Sequence, residues 1–164
     1  MLLAGGVAAA DDTRAALAAG AVGVVAGTRF LLTDEARAHP GYQRRILAAD
    51  KTFRTKLFGL GWPAPHRVVA NAATRRWCHD DGRVKLAPGL INAGSGAPAR
   101  LPDRAIMPVL RMQTPRLPMF SPVAPTIGMP ESAVDRTALY AGKTVLRMTS
   151  VISARQAVTE LAPR

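Results

Sequence analysis

The chain has 164 residues, 48% of them hydrophobic and 5% aromatic, with 22 Lys and Arg against 11 Asp and Glu for a formal net charge of +11. That length and apolar content suit one domain with its own core, and a single cysteine, Cys78, excludes an internal disulfide framework and fits a reducing compartment, the cytoplasm. No apolar run reaches the roughly 18 residues that span a bilayer, no signal-peptide pattern opens the chain, and the scattered cations and scarce aromatics make nucleic acid an unlikely partner despite the charge.

In chain order, Met1 to Ala4 reads as a short apolar strand closed by Gly5-Gly6. An alanine-rich helix follows from about Ala10 to Ala19, with Asp11 and Asp12 in its first turn, where carboxylates favour the helix dipole, and with Ala16, Leu17 and Gly20 on one face. Val22 to Ala26 is the next strand, an apolar β-branched run that stops at Gly27-Thr28-Arg29-Phe30. Strand, helix and strand in so short a span predict a βαβ crossover with parallel strands, apolar on both faces and in need of further elements to cover them.

Thr33-Asp34-Glu35 predicts a helix start with Thr33 as N-cap, interrupted by His39-Pro40-Gly41. A second helix is expected from Tyr42 to Ala49, with Tyr42, Ile46 and Ala49 inward and Gln43, Arg44 and Arg45 in water. Thr52 to Phe58 alternates as a half-exposed strand does, ended by Gly59, Gly61 and Pro63, and Pro65 to Asn71 leads into a mixed polar segment. Between Pro88 and Pro130 lie most of the prolines, which forbid long helices and central strands and predict an extended, surface-wrapping stretch with at most one short helix. Ser153 to Gln156 has capping-box spacing, and Ala154, Ala157, Val158 and Leu161 follow the pattern of a docked helix. The expected organisation is a βαβ unit over 1–33, a helical subdomain over 34–87, a Pro-rich extended segment over 88–138 and a terminal segment with its helix over 139–164.

The two glycine-bearing strand ends carry the strongest chemical signal. A residue without a Cβ at the carboxyl end of a parallel strand lets backbone N–H groups approach an anion, and in a (β/α)8 barrel the ligand phosphate commonly sits between the loops after the seventh and eighth strands. Gly5, Gly6, Gly27 and Thr28 have that placement; glycines that merely permit tight turns would read the same way. A dinucleotide-binding fold is disfavoured, because Gly5-Gly6-Val7-Ala8-Ala9-Ala10 lacks the three-glycine fingerprint. Trp77-Cys78-His79-Asp80-Asp81 clusters a thiol, an imidazole and carboxylates, but Asp81-Gly82 reads more simply as a turn than as a catalytic or zinc site. Arg29 is open to two readings, a phosphate partner or a packing residue.

Together these words, Gly5-Gly6-Val7, Asp12, Arg14 to Ala21 and Gly27-Thr28-Arg29-Phe30-Leu31, resemble the carboxyl half of the nitronate monooxygenase family, formerly 2-nitropropane dioxygenases. The resemblance continues through His39-Pro40, Tyr42, Gly61-Trp62-Pro63, Pro65-His66-Arg67-Val68 and Leu139-Tyr140-Ala141-Gly142, in order over nearly the whole chain. It implies an α/β fold, the carboxyl-terminal part of a TIM barrel made of its last two strands and the helix between them, with a helical and extended appendage. It implies FMN as cofactor, with Gly5, Gly6, Ala26, Gly27 and Thr28 as phosphate contacts, and oxidation of alkyl nitronates with molecular oxygen. The family's catalytic histidine comes from the amino-terminal half of the barrel and matches none of His39, His66 and His79, so the resemblance implies a fragment without its base. Ala9 departs from the Thr or Asp cap common in the family. A flavin-dependent enoyl reductase with a similar strand end is the alternative within the fold, and a non-catalytic basic binding module the alternative outside it.

Overall fold

The computed structural model describes residues 1–62, 64–94 and 114–163 and is α/β. Its first unit is the predicted crossover: β1 (Leu2–Ala4) and β2 (Gly23–Val25) pair in parallel, Leu2 opposite Gly23 and Ala4 opposite Val25, with α1 (Ala10–Ala18) as the return path that parallel neighbours require. Ala9 sits at the N-cap of α1 with no side-chain acceptor. Asp12 reaches back instead, its carboxylate accepting from the amides of Ala8 at 2.8 Å and Ala9 at 3.0 Å. α1 buries Thr13 and Ala16, whereas Leu17, inward by the sequence pattern, is exposed. The strands are open too, with Leu2 60% and Val25 49% exposed, the reverse of the burial that parallel strands normally have.

The helix predicted to start at Thr33 is absent, because the chain end captures its backbone. Ile152 donates to the Leu32 carbonyl at 3.2 Å, and Asp34 donates to the Ile152 carbonyl at 3.0 Å. Thr33 instead closes the short helix α2 (Gly27–Leu31), its hydroxyl donating to the Phe30 carbonyl at 2.9 Å. His39-Pro40-Gly41 starts a helix rather than interrupting one. In α3 (Pro40–Leu47) the proline occupies the first turn, where its missing N–H is not needed, and His39 Nδ1 accepts from the Gly41 amide at 3.0 Å. Tyr42 and Ile46 are buried as predicted, but Gln43 turns from water to donate to the carbonyls of Leu31 and Thr33 at 3.0 and 3.1 Å.

β3 (Phe53–Thr55) and β4 (His66–Val68) form an antiparallel pair, shorter than the alternation over Thr52 to Phe58 predicts. Residues 139–141 extend this layer along the other edge of β4, with Val69 donating to the Leu139 carbonyl at 3.0 Å and Ala141 to that of Arg67 at 3.2 Å. α4 (Ala72–Trp77) forms where the pattern shows only a mixed polar segment. Its cap is the fully buried Asn71, which accepts from the Thr74 amide at 3.0 Å and donates to the carbonyls of Val134 and Thr137 at 3.0 and 2.8 Å. α5 (Leu86–Gly94) carries Pro88 within its first turn, where a proline's missing N–H costs no helix bond. Of the proline-rich region, 95–113 lies outside the described residues, and the remainder does not only wrap the surface: Phe120 is completely buried, its ring edge-on to Phe58 at 5.9 Å. α6 (Ala154–Leu161) has the predicted cap, Ser153 Oγ accepting from the Gln156 amide at 3.1 Å. It docks through Ala157 and Leu161 only, while Val158 is exposed.

The core lies away from the crossover. One cluster joins Leu32, Tyr42, Ile46, Val69, Leu139 and Val145, and a second joins Leu57, Phe58, Val68, Ala73, Phe120 and Ala138. Asn71 bridges their supporting backbones, so Asn71→Ala removes a cap and two buried donors and should destabilise the protein by about 3 kcal/mol. Urea titration checks this as a lowered midpoint with unchanged slope.

Candidate functional site

The register of β1 and β2 sets Gly5-Gly6 beside Ala26-Gly27-Thr28 at the carboxyl edge of the parallel pair. Gly5 and Gly6 adopt φ of +84° and +81°, left-handed backbone that a side chain would strain. A Cβ at Gly5, Gly6 or Gly27 would meet no atom within 4 Å, so the space beside all three is open to a ligand. The donors are not equivalent. The Gly5 amide is directed at the Val25 carbonyl at 3.4 Å, continuing the strand ladder, which leaves Gly6 as the freer donor of the pair. On the second strand, Ala26 is the N-cap of α2 and makes no side-chain cap bond. The first amides of α2 have no acceptor within the helix; in a five-residue turn they act as separate N–H groups rather than as the end of a strong macrodipole.

Thr28 is fixed from the far end of the chain. The Gly142 amide donates to Thr28 Oγ1 at 2.9 Å, and a Cβ on Gly142 would come within 3.2 Å of that oxygen. Because the hydroxyl accepts this bond, its own proton is left to donate elsewhere. A cleft of about 410 Å³ opens here, lined by Gly27, Thr28, Tyr42, Arg67, Tyr140 and Gly142 among others. Gly5 and Gly6 are not in its lining. The Tyr42 hydroxyl donates to the Tyr140 carbonyl at 2.7 Å and the Tyr140 hydroxyl to the Pro122 carbonyl at 3.1 Å. Burial pushes the Tyr140 phenol up to about 12 and Tyr42 higher still, so both are neutral walls at ordinary pH. Tyr42, Arg67 and Gly142 all stand in words of the resemblance, but only the tertiary fold brings them to one cleft.

Arg29 is a packing residue. It is buried, and its guanidinium donates to the carbonyls of Leu32 and Ser150, both at 2.8 Å, pinning α2 to the terminal segment from behind. Trp77 ends α4, and the chain beyond it turns at Asp80 to Gly82, with an antiparallel bridge from Cys78 to Val84 around Gly82 at φ +84°. Cys78 is buried against Thr55 Oγ1 at 3.3 Å, and burial pushes its thiol up, away from nucleophilic use. No group of His, Cys, Asp and Glu side chains among the described residues could hold a metal. The His66 ring lies edge-on to Trp62 and Tyr140, and burial lowers its pKa.

Residues 1–164 match the family model described as nitronate monooxygenase. The chain belongs to the nitronate monooxygenase family. Over 86 residues it is 40% identical to the nitronate monooxygenase npaC of Metarhizium robertsii, an alignment covering 46% of this chain and 24% of that protein. Among solved structures it resembles FabK from Thermotoga maritima, with a TM-score of 0.60 and 21% identity over 98% of this chain and 42% of the other. It also resembles the nitroalkane oxidase of Streptomyces ansochromogenes, with a TM-score of 0.58 and 25% identity over 98% of this chain and 37% of the other. The FabK likeness shows the fold alone. The chain thus spans about a quarter of the curated relative's length and about two-fifths of these structures' length.

In this family member the loop after Gly5-Gly6 is held by Asp12. Arg147 bonds its carboxylate, and with the Ala8 and Ala9 amides brings its pKa down to about 2. A carboxylate depressed in the folded state stabilises above its unfolded value near 3.8 and loses that contribution as pH falls towards 2. Unfolding midpoints of Asp12→Asn and wild type should therefore differ at neutral pH and converge over this acid range. Thr28→Val deprives the Gly142 amide of its acceptor and should cost about 1–2 kcal/mol in thermal or urea unfolding, while Thr28→Ser keeps most of it.

Proposed function

We propose that residues 1–33 are the last two strands and intervening helix of a (β/α)8 barrel that holds FMN by its phosphate, with 34–87, the Pro-rich 88–138 and 139–164 as its appendage. The observation that carries this reading is the pair of glycine strand ends set side by side with open space next to them. Gly6 and the first amides of α2, at Gly27 and Thr28, are the donors; Gly5 and Ala26 shape the turns that present them. The Thr28 hydroxyl adds a side-chain donor, held in place by Gly142. When bound, the flavin would supply the redox chemistry, here the oxidation of an alkyl nitronate by molecular oxygen, a reading supported by the match to the nitronate monooxygenase family. This chain's part is to grip, orient and wall the site with neutral phenols. The single buried thiol fits a cytoplasmic setting.

No histidine here serves as base. His39 is engaged as a helix cap, His66 lies between two aromatic rings, and His79 belongs to the turn around Gly82. The base belongs to barrel units outside these 164 residues, and the exposed side chains of Leu2, Leu3, Leu17 and Val25 are the surface such units would cover. The match to the nitronate monooxygenase model favours a nitronate over an enoyl substrate, since the FabK likeness speaks to fold only.

The test is the visible spectrum and oxygen uptake of the purified chain. It should retain flavin well below one equivalent and show no nitronate-dependent oxygen uptake, while a polypeptide with the remaining βα units should do both and lose its flavin on Gly6→Val. Stoichiometric flavin with turnover from the 164 residues alone would overturn the partial-barrel reading.

A further inference from the structure

Arg29 is the one buried arginine among the described residues, 5% exposed, and its bonds leave it unsatisfied. Both of them, to the carbonyls of Leu32 and Ser150, are made by Nη2. Nε is buried without a partner, and Nη1 bonds no protein atom among the described residues. A guanidinium carries five N–H donors, so three are left over, on a charge that no described carboxylate pairs. Two neutral carbonyls do not neutralise a buried cation, and its unused donors add to the cost. The same head group stands beside open space: Arg29 and its partner Ser150 both line a cleft of about 330 Å³ between the start of α1, α2 and residues 147–152. Arg147 lines it from the α1 side, bonded there to the Asp12 carboxylate that takes the amides of Ala8 and Ala9, two further lining residues. Glu160 of α6 also lines it, accepting from the Gln156 side chain at 2.9 Å and pairing with neither arginine. None of Gly5, Gly6, Gly27 and Thr28 belongs to this lining.

We propose that this cleft is a binding site for a small carboxylate, seated on the Arg29 guanidinium with Arg147 beside it. A carboxylate supplies what Arg29 lacks, one negative charge and lone pairs for its unused N–H groups, in a charge-assisted bond of the stronger kind. Glu160 selects the charge. A doubly charged oxyanion in the same space would set its second charge against the Glu160 carboxylate, while Arg147 is already engaged by Asp12. The volume suits a short-chain organic acid. Its walls come from the loop after Gly5-Gly6, from α2 and from the terminal segment, so an occupant ties together the elements that shape the glycine edge without touching that edge. The site requires neither flavin nor nitronate.

The experiment titrates sodium acetate into the ¹⁵N-labelled 164-residue protein, with sodium sulfate and sodium chloride as comparators at constant ionic strength. Acetate should shift the Arg29 Nε–H resonance and the amides of Thr149 and Ser150 along one saturable curve and leave Gly6 and Gly27 in place. Arg29→Met should weaken acetate binding about tenfold or more through loss of the charge-assisted contact. Sulfate should bind about tenfold more weakly than acetate in wild type, the cost of one like charge nearby, and Glu160→Gln should narrow that gap. The proposal is overturned if acetate moves none of the Arg29, Thr149 and Ser150 signals, if chloride moves them equally, or if Arg29→Met binds acetate as wild type does. Sulfate bound as tightly as acetate in wild type overturns the carboxylate assignment. Should Arg29→Met not fold, the exposed Glu160→Gln carries the comparison, and unchanged sulfate affinity in it overturns the site.

Discussion

The stretch from Leu139 to Ile152 holds the molecule together because it bonds, one after another, to elements that otherwise share few contacts. Leu139 and Ala141 extend the β4 layer, the Gly142 amide bonds Thr28, Arg147 pairs with Asp12, the Ser150 carbonyl takes the buried Arg29 guanidinium, and Ile152 pairs on either side of Thr33. Each of these bonds spans a large sequence separation, so each closes a long loop whose entropy must be offset by the packing it permits. That packing is the two-cluster core, to which Leu139, Ala141, Val145 and Met148 contribute directly.

The crossover unit depends on this stitching most. Its strands are three residues each, their apolar side chains are largely exposed, and the core clusters draw little from it. Its tertiary anchors are the Asp12 ion pair, the Thr28 bond and the contacts of α1 with α6. A unit with few buried apolar contacts opens at low free-energy cost, so the open glycine edge belongs to a weakly held part of the fold. Further strands beside β1 and β2 would raise that cost by covering Leu2, Leu3 and Val25.

Local chemistry was legible where one residue decides it. Asp11 and Asp12 in the first turn of α1, Ser153 as cap of α6, the alternation around Thr55 and the turn at Gly82 all follow from neighbours in sequence. Thr33 misled because a hydroxyl before two carboxylates is a sound N-cap pattern; the terminal segment took its backbone instead, a partner more than a hundred residues away. α4 had a local signal in Asn71, a favoured N-cap whose Oδ1 accepts from the Thr74 amide; what the sequence could not show is that the same side chain's amide serves two distant carbonyls. At the candidate site, the glycines stood out in sequence as residues without a Cβ closing apolar strands, and of these Gly5 and Gly6 take left-handed backbone; Arg29 could not be decided, since burial rather than residue type makes it a packing group. Tyr42 and Arg67 enter the cleft through tertiary register alone.

If backbone amides at the two strand ends grip a phosphate, they will sense it directly. Amide correlation spectra of ¹⁵N-labelled protein titrated with FMN and, separately, with riboflavin read it residue by residue, and they detect weak binding. The resonances of Gly6, Gly27 and Thr28 should move with FMN and stay still with riboflavin. Equal movement with both flavins, or movement confined to residues away from these strand ends, would contradict it.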